Sequence, residues 1–403
     1  MLLVSSFIGN FALWGALFVG VQSLIAGGAP VLAVQCTAIA SFAPLLFAGA
    51  AAGRLAERRE RLATLRVLVV LLAGGMATLA VTMALGAPVG VVYVAALLGG
   101  LGQVGNLTLL RPTLYERAGP GQGPRVLALD ALGSSLAVCL GPLVMGYALT
   151  AGGPPGGYGV IAVLFLASRL ALGRARALSE PGPVSVMDAS AATRVPRRLP
   201  PGLAGVLGIT VVVNLFYFPF QAIVPVVGER FTSVPSELGI LAAAPGLGMV
   251  TGNAVIALLR PRRLGRVYVA GSALCMIAMV MAVHAPLFGL TFVVLVLAGV
   301  GISGFSASQA TLVMQSSPAG QRSRSMGLLS TAIGIMPVGT LLMGVTSATF
   351  GTVAAVTAGG AAGLGMLALW LPMCRPILRR SRLDGGHAVP DPPPPGTARP
   401  GTP

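Results

Sequence analysis

Few residues of this 403-residue chain could carry out chemistry. Its basic residues are all arginine, so the chain offers no lysine for a phosphate-binding loop, a Schiff base or a lysine nucleophile. Its two histidines, His284 and His387, exclude an HExxH motif and a three-histidine metal site. The four cysteines lie in or beside apolar runs, which indicates packing and not a disulfide framework. We therefore expect no enzyme, no resident metal and no cofactor.

Three acids lie close enough to an apolar segment to exchange protons usefully, namely Glu116, Asp130 and Glu237. Asp130 is the best candidate for coupling proton movement to a conformational change, because it could exchange an arginine partner for a proton. The alternative is that Asp130 only stabilises a helix N-terminus through the helix dipole. The arginines considered as its partners are Arg58, Arg61 and Arg125.

The elements that must position these groups are membrane-spanning helices. The chain is 55% hydrophobic and only 9% charged, whereas an ordinary soluble domain is about one quarter charged. A helix needs about 20 apolar residues to cross the bilayer core. Twelve runs meet this requirement, so we predict an all-α integral membrane protein with twelve transmembrane helices. The runs are 4–26, 31–53, 67–86, 89–110, 127–150, 157–173, 204–227, 238–259, 267–284, 288–312, 326–348 and 353–373.

The positions of the arginines predict how these helices are oriented. The connections after the first, third, fifth, ninth and eleventh runs hold no arginine, and the connection after the seventh holds only Arg230. Because positive residues stay on the cytoplasmic side, both termini are predicted to be cytoplasmic, in a bacterial inner membrane. A nucleic-acid partner is the competing explanation of a basic chain. The arginines are spread over six separate inner segments, so we expect no nucleic-acid partner.

The two halves of the chain repeat each other. A Gly-Gln-x-x-Arg sequence begins at Gly121, before the fifth run, and again at Gly320, before the eleventh. Two six-helix bundles in parallel repeat place a substrate site near the membrane midplane between them. The predicted domains are an N-terminal bundle at 1–173, a cytoplasmic linker at 174–203, a C-terminal bundle at 204–374 and a cytoplasmic, Pro-rich disordered tail at 375–403. We expect a monomer in the lipid bilayer.

Two short motifs resemble those of the major facilitator superfamily. The segment 53–61, GRLAERRER, is similar to the superfamily's Gly-x-Leu-Ala-Asp-Arg-x-Gly-Arg motif, with a glutamate at the acidic position. The segment 141–146, GPLVMG, is similar to the export-associated Gly-Pro-x-x-Gly-Gly motif. Over 4–373 the chain most resembles the enterobactin-exporter and macrolide-efflux branch, also called transmembrane secretion effectors. The resemblance implies gating or coupling roles for Gly53, Glu57, Arg58, Arg61, Arg125, Asp130, Gly141, Pro142 and Gly146.

Both motifs also have simpler explanations. A solvated positive loop accounts for the first, and generic small-residue packing between helices accounts for the second. Two other positions depart from the pattern that the resemblance implies. The first helix has Asn10 where the branch has an aspartate, and no arginine occupies the superfamily's position before Gln103 in the fourth helix. The residues through which relatives couple protons are therefore replaced at both places.

The resemblance places helices 1, 4, 7 and 10 around a central cavity. Positions 214, 217, 218 and 221 share one face of the seventh helix, and similar amides and aromatics occur on the other three. These residues suit a neutral or amphipathic, aromatic compound, because no carboxylate lies among them. Alternatively, the amides only hold helices together, at about 0.6–2 kcal/mol each. The substrate-binding candidates are Asn10, Trp14, Phe18, Gln103, Asn106, Arg111, Asn214, Tyr217, Phe218, Gln221, Ser306 and Gln309.

Together these features predict a secondary transporter that works by alternating access. We expect it to export a small neutral or amphipathic organic compound, such as a drug, a secondary metabolite or a siderophore-like molecule, with protons as the coupling ion. Export rests on analogy with the Gly-Pro motif. An importer or facilitator is the alternative, because the acid of the first helix is missing. A non-transporting scaffold or sensor that works through the Pro-rich tail is less favoured.

Overall fold

The computed structural model describes residues 1–47, 61–86, 88–117, 122–174, 199–259, 261–317 and 322–379, and every regular element in these ranges is helical. Nine helical stretches there are apolar and long enough to cross a membrane. Two shorter apolar helices, Val31–Pro44 and Val92–Gly105, accompany them. The chain is therefore a multi-pass membrane protein with an all-α fold. An α-helix is stable in the hydrocarbon interior of a membrane because its backbone N–H and C=O groups bond to each other.

The helices are numbered in chain order. In the first half they are α1 (Leu2–Ala26), α2 (Val31–Phe47), α3 (Arg61–Ala84), α4 (Val92–Gly105), α5 (Arg111–Arg117) and α6 (Gly123–Arg174). A 3₁₀ turn, Val89–Val91, precedes α4, and a π-helical turn, Asn106–Leu110, joins α4 to α5. In the second half they are α7 (Pro201–Phe216), α8 (Phe218–Gly228), α9 (Pro235–Leu259), α10 (Leu264–His284), α11 (Phe288–Ser316), α12 (Arg322–Ile333), α13 (Met336–Phe350) and α14 (Thr352–Arg379).

The predicted loop between the fifth and sixth runs is reduced to one residue. Helical residues continue from Gly123 to Arg174, and only Gly153 has non-helical dihedral angles, with φ 60° and ψ −165°. A side chain would be strained at this positive φ, which glycine adopts freely. Pro154 and Pro155 then begin the next helix, a place where a missing backbone N–H costs nothing. The element α6 is thus two helices that meet at Gly153.

Two predicted continuous helices are interrupted in the structure. The run at 204–227 breaks at Tyr217, between α7 and α8, and the run at 326–348 breaks between Ile333 and Met336. In both cases a proline follows the break, Pro219 and Pro337, and lacks the N–H needed to continue the preceding helix. The last helix instead extends beyond its prediction, since α14 reaches Arg379, past the expected boundary at 374.

Each half has its own apolar core, and the outside is apolar too. Phe11 and Phe165 lie in the core of the first half, and Tyr268 lies in that of the second. On the outer surface Leu258 and Leu259 expose 82% and 75% of their area. Such exposure is unfavourable in water and is expected where lipid covers the surface.

Arg230, the arginine that departs from the predicted charge pattern, makes specific hydrogen bonds in the structure. Arg230 donates a hydrogen bond of 2.6 Å to the carbonyl oxygen of Ala282 and another to that of Val283, at the C-terminal end of α10. Its guanidinium carbon also lies 4.6 Å from the ring centroid of Phe231. A cation at a helix C-terminus satisfies carbonyl oxygens that have no helical partner. Burial lowers the pKa of Arg230 from its ordinary value.

Candidate functional site

Glycine contacts bring the two halves together along α6 and α9. A Cβ atom on Gly239 would lie 2.6 Å from the carbonyl oxygen of Pro142 and 3.2 Å from the Cα of Gly146. A Cβ atom on Gly246 would collide with the backbone of Cys139. The small residues of the Gly-Pro motif therefore allow two backbones to approach closely across the interface between the halves.

Polar contacts accompany this interface at two levels. The backbone N–H of Ser236 donates to the hydroxyl oxygen of Thr150 at 3.2 Å, and the Asn253 amide donates to the hydroxyl oxygen of Ser135 at 3.2 Å. Gly141 faces the opposite way, where its Cβ would lie 3.1 Å from the backbone nitrogen of Gly15 in α1. The first part of α6 thus packs against α1 on one side and α9 on the other.

A second contact between the halves joins α2 to the interruption after α7. The fully buried Gln35 amide donates a hydrogen bond of 3.1 Å to the carbonyl oxygen of Pro219. On α13, a Cβ atom on Gly344 would lie 2.9 Å from a methyl carbon of Leu32 and 3.1 Å from the Cβ of Gln35. Helices from both halves therefore meet around the Gln35 side chain.

A cleft of about 490 Å³ lies between these contacts, lined by α1 and α6 of the first half and α8 and α9 of the second. Three of the predicted substrate-binding residues line it, namely Trp14, Phe18 and Gln221. The lining carries no charged side chain, and its polar side-chain groups are the Gln221 amide and the Trp14 indole N–H.

A neighbouring cleft extends the site within the first half. It encloses about 430 Å³ between α1, α2 and α4, and Trp14 and Gln103 are among its lining residues. Trp14 and Leu17 line both spaces. The predicted residue Gln103 therefore lies beside the cleft between the halves and does not line it.

An ion pair with a buried carboxylate lies in the first half. The Arg111 Nε donates a hydrogen bond of 2.8 Å to Asp130 Oδ2, and the Ser6 hydroxyl donates to Asp130 Oδ1. The Asn10 amide donates to the Ser6 carbonyl oxygen at 2.9 Å, and the Ser6 hydroxyl lies 3.5 Å from Asn106 Oδ1. Side chains of α1 and α5 thus meet the Asp130 carboxylate of α6, and the π-helical turn lies beside the Ser6 hydroxyl.

The two charges of this pair differ in their access to solvent. The Asp130 side chain is only 2% exposed, whereas the Arg111 side chain is 35% exposed. A buried carboxylate is stable only while a cation and hydrogen-bond donors compensate it. Arg111 was predicted to bind substrate, and in the structure its observed partner is Asp130.

The predicted residues Asn214 and Gln309 lie in a hydrogen-bond network within the second half. The Gln309 amide donates to the Thr210 hydroxyl oxygen at 2.9 Å, and that hydroxyl lies 3.0 Å from the Tyr268 hydroxyl. The Asn214 amide donates to the Thr210 carbonyl oxygen at 2.9 Å. The contacts of Thr210 with Gln309 and Tyr268 connect α7, α10 and α11, whereas the Asn214 bond lies within α7.

The other predicted residues of the second half lie near the break after α7. The Tyr217 side chain is fully buried, and its ring centroid lies 5.9 Å from that of Phe218. Its hydroxyl makes no hydrogen bond of normal geometry, although the Gln221 side chain is close enough to interact with it. Ser306 is exposed, and its hydroxyl lies 3.4 Å from the carbonyl oxygen of Ser303 in the same helix.

Several gating candidates lie where the structure gives no side-chain description. Gly53, Glu57 and Arg58 fall outside the described residues. Arg61 begins α3 and Arg125 lies in the first turn of α6, but only their backbones are described. The predicted exchange between Asp130 and these arginines therefore stays a prediction.

The sequence analysis missed three features of the site. It did not single out Pro225 or Pro245, which line the cleft, or Gln35, which joins the halves. A usable signal was present for the prolines, because a proline inside an apolar helical run exposes a backbone carbonyl. Among the residues that the structure describes, no group of three or more His, Cys, Asp or Glu side chains could hold a metal ion.

Comparison with known proteins identifies the class of fold. No protein-family model matches the chain, and no curated protein matches it. Solved structures do match, including a peptide transporter POT in complex with sulfate, with 14% identity, a TM-score of 0.69 and coverage of 94% of each chain. A bacterial homologue of the human lysosomal transporter Spinster, inward-facing and occupied, has 14% identity, a TM-score of 0.70 and coverage of 93% of this chain and 96% of its own.

The E. coli fucose:proton symporter is also similar, with 14% identity, a TM-score of 0.58 and coverage of 92% of this chain and 97% of its own. All three of these proteins have the fold of the major facilitator superfamily. The chain is therefore similar in fold to these proteins, and the predicted number of twelve transmembrane helices stays a prediction. Identities this low concern the fold alone, and the exporter branch stays a prediction.

Proposed function

We propose that the chain is a secondary transporter that moves a small organic molecule across a membrane by alternating access. The observation that carries this proposal is the cleft of about 490 Å³ lined by helices of both halves. A site shared by two bundles opens to one side or the other when the bundles rock about it. The glycine contacts between α6 and α9 supply a surface on which such a movement can occur. The absence of a nucleophile–base pair in the sequence argues against an enzyme.

The proposed topology has twelve transmembrane helices with both termini in the cytoplasm. The nine long apolar stretches, the two shorter apolar helices and the break at Gly153 are consistent with this number. The distribution of arginines supports the orientation. The bacterial inner membrane, a monomeric state and the domain limits 1–173, 174–203, 204–374 and 375–403 belong to the same proposal.

The proposed cargo is neutral or amphipathic, and the proposed direction is export. The lining of the cleft supports the cargo, because it combines Trp14 and Phe18 with one amide and no charged side chain. Export is supported by the resemblance of 141–146 to the Gly-Pro motif of exporters. Import or facilitated diffusion is the second candidate, because a fucose:proton symporter is among the structures of similar fold.

Coupling to protons is proposed to occur at Asp130. Its support is the position of the carboxylate, which is buried between α1, α5 and α6 with Arg111 as its cation. Protonation of Asp130 would release Arg111 and weaken the connection between these helices. We expect Asp130→Asn to abolish transport driven by a pH gradient while passive exchange of cargo continues. Unchanged pH-driven transport in this variant would remove Asp130 from the coupling mechanism.

Accumulation of antibacterial compounds in a pump-deficient bacterial host tests the function itself. Cells with the wild-type chain, with Asp130→Asn or with an empty vector are given neutral and amphipathic compounds, macrolides included, with and without a protonophore. An exporter lowers accumulation only while the gradient persists, and an importer raises it. Accumulation equal to that of the empty vector for every compound would argue against transport of this class. Deletion of 384–403 then separates a scaffold from a transporter, because a transporter without this segment retains its flux.

A further inference from the structure

Three prolines from three helices line the cleft between the halves. Pro142 lies within α6, Pro225 within α8 and Pro245 within α9. Proline has no backbone N–H, so the carbonyl oxygen four residues earlier loses its normal helical hydrogen bond. At the cleft, three helices therefore each lack one backbone N–H donor. The carbonyl groups concerned are those of Val138, Gln221 and Leu241.

Two of these carbonyl-bearing residues, Val138 and Gln221, themselves line the cleft. A peptide carbonyl without a donor costs several kcal/mol in hydrocarbon, and it is tolerated where it lines a cavity that holds water or a polar ligand. The Gln221 side-chain amide adds one carbonyl oxygen and one NH2 group, and the Trp14 indole N–H is a further donor. Although most of the lining is apolar, the two residues whose peptide carbonyls lack a helical donor add backbone acceptors to it.

We propose that the cleft selects amphipathic molecules whose polar end carries N–H or O–H donors, with the backbone carbonyl of Gln221 as the specificity-determining acceptor. This inference rests on the proposed function, because it concerns the cargo of the same cleft. The flat apolar body of such a molecule packs against Trp14 and Phe18, which line the same space. A molecule without donors leaves the carbonyl unpaired, and an anion meets no countercharge in the lining.

A purely mechanical role for the prolines makes a different prediction. If Pro225 only bends α8, its replacement changes the affinity for every ligand to a similar extent. If it exposes an acceptor, Pro225→Ala supplies an N–H that bonds to the Gln221 carbonyl oxygen, and only donor-bearing ligands lose affinity. A pair of ligands that differ in one donor therefore distinguishes the two roles.

Acridone and N-methylacridone form such a pair, since they share one ring system and differ in a single N–H. Binding to the purified chain in micelles is measured by quenching of Trp14 in a Trp370→Phe background, in which Trp14 is the remaining tryptophan. We expect the unsubstituted chain to bind acridone about tenfold more tightly than N-methylacridone. Nonspecific partition into micelles favours N-methylacridone. Partition therefore cannot explain tighter binding of acridone.

The variant Pro225→Ala is expected to reduce the preference to about threefold or less, through loss of acridone affinity. The matched control is Pro372→Ala, at an exposed proline of α14 that does not line the cleft, and it should retain the full preference. If the Trp370→Phe background does not fold, the fluorescence anisotropy of each probe with the otherwise native chain gives the same ratio.

Each remaining outcome has a separate meaning. Equal affinities for the two probes in the unsubstituted chain would overturn the donor preference and leave the proposed transporter intact. A preference that Pro225→Ala does not change would overturn the role of the Gln221 carbonyl. Absence of binding by both probes would overturn the inference together with the cleft as a site for such molecules. A donor preference without gradient-driven flux in cells would count against the proposed function only.

Discussion

The Arg111–Asp130 pair predicts that removal of its two members has unequal effects on stability. Asp130→Asn leaves Arg111 without its partner, but the arginine side chain is 35% exposed and can turn toward solvent. Arg111→Gln leaves a carboxylate that is only 2% exposed, with the Ser6 hydroxyl as its remaining strong donor. The loss of the cation should therefore be more damaging than the loss of the anion.

The expected losses of unfolding free energy follow from the solvent exposure of the two side chains. A buried charge left without its partner costs about 3–5 kcal/mol, and the Ser6 hydrogen bond favours the lower end for Arg111→Gln, about 3 kcal/mol. For Asp130→Asn we expect about 1 kcal/mol, because solvent compensates the exposed arginine. The double variant Arg111→Gln/Asp130→Asn contains no buried charge. It should therefore be more stable than Arg111→Gln alone by about 1–2 kcal/mol.

The assay is reversible unfolding of the purified chain in mixed micelles, with an increasing mole fraction of sodium dodecyl sulfate and helix content followed by circular dichroism. Arg262→Gln serves as the matched control, because it removes an exposed arginine that lies outside the bundle interior. We expect this control to change the free energy of unfolding by less than about 0.5 kcal/mol.

Two results would refute the reasoning. If Asp130→Asn destabilised the chain as much as Arg111→Gln, solvent exposure of the arginine would not control the energetics of the pair. If the effects of the single variants simply added in the double variant, the two side chains would not be coupled in the folded chain.

Two further predictions concern packing. Gly239→Ala places a methyl group against the backbone of Pro142 and Gly146, so we expect it to separate α6 from α9, cost about 1–3 kcal/mol and speed maleimide labelling of a single retained Cys139. Gly289→Ala, with nothing within 4 Å of the added atom, is its control, and equal labelling rates would contradict the contact. Arg230→Ala removes two hydrogen bonds to the end of α10 and should lower the free energy of unfolding by about 1 kcal/mol. The exposed Arg263→Ala should leave it unchanged, and a neutral result for Arg230→Ala would exclude the capping role.

The fold class could be predicted from the sequence because hydropathy is a local property. A run of about 20 apolar residues is stable as a helix in lipid whatever its neighbours are. The interruptions were harder to predict, since apolar composition continues through Tyr217 and through Ile335. Pro219 and Pro337 mark both places, but a proline in a transmembrane helix produces a bend or a break according to its neighbours.

The site could be predicted only in part. Trp14, Phe18 and Gln221 line the cleft, and their helical spacing was visible in the sequence. Gln309 and Asn214 have the same residue types, yet they make hydrogen bonds within the second half. Spacing along one helix does not reveal how that helix is rotated in the bundle. The role of an amide therefore depends on helices that are distant in sequence.

The sequence by itself determined that this chain is a multi-pass membrane protein, and it predicts that its arginines concentrate on one side and that its two halves repeat each other. The free energy of transferring a segment from water to lipid depends on the residues of that segment alone. These properties can therefore be predicted without knowledge of the tertiary structure. Only the tertiary structure decided that Arg111 pairs with Asp130 and that three prolines meet at one cleft. The packing of small residues, such as Gly146 against Gly239, sets the distance and rotation of neighbouring helices. It therefore decides which side chains from different helices come into contact.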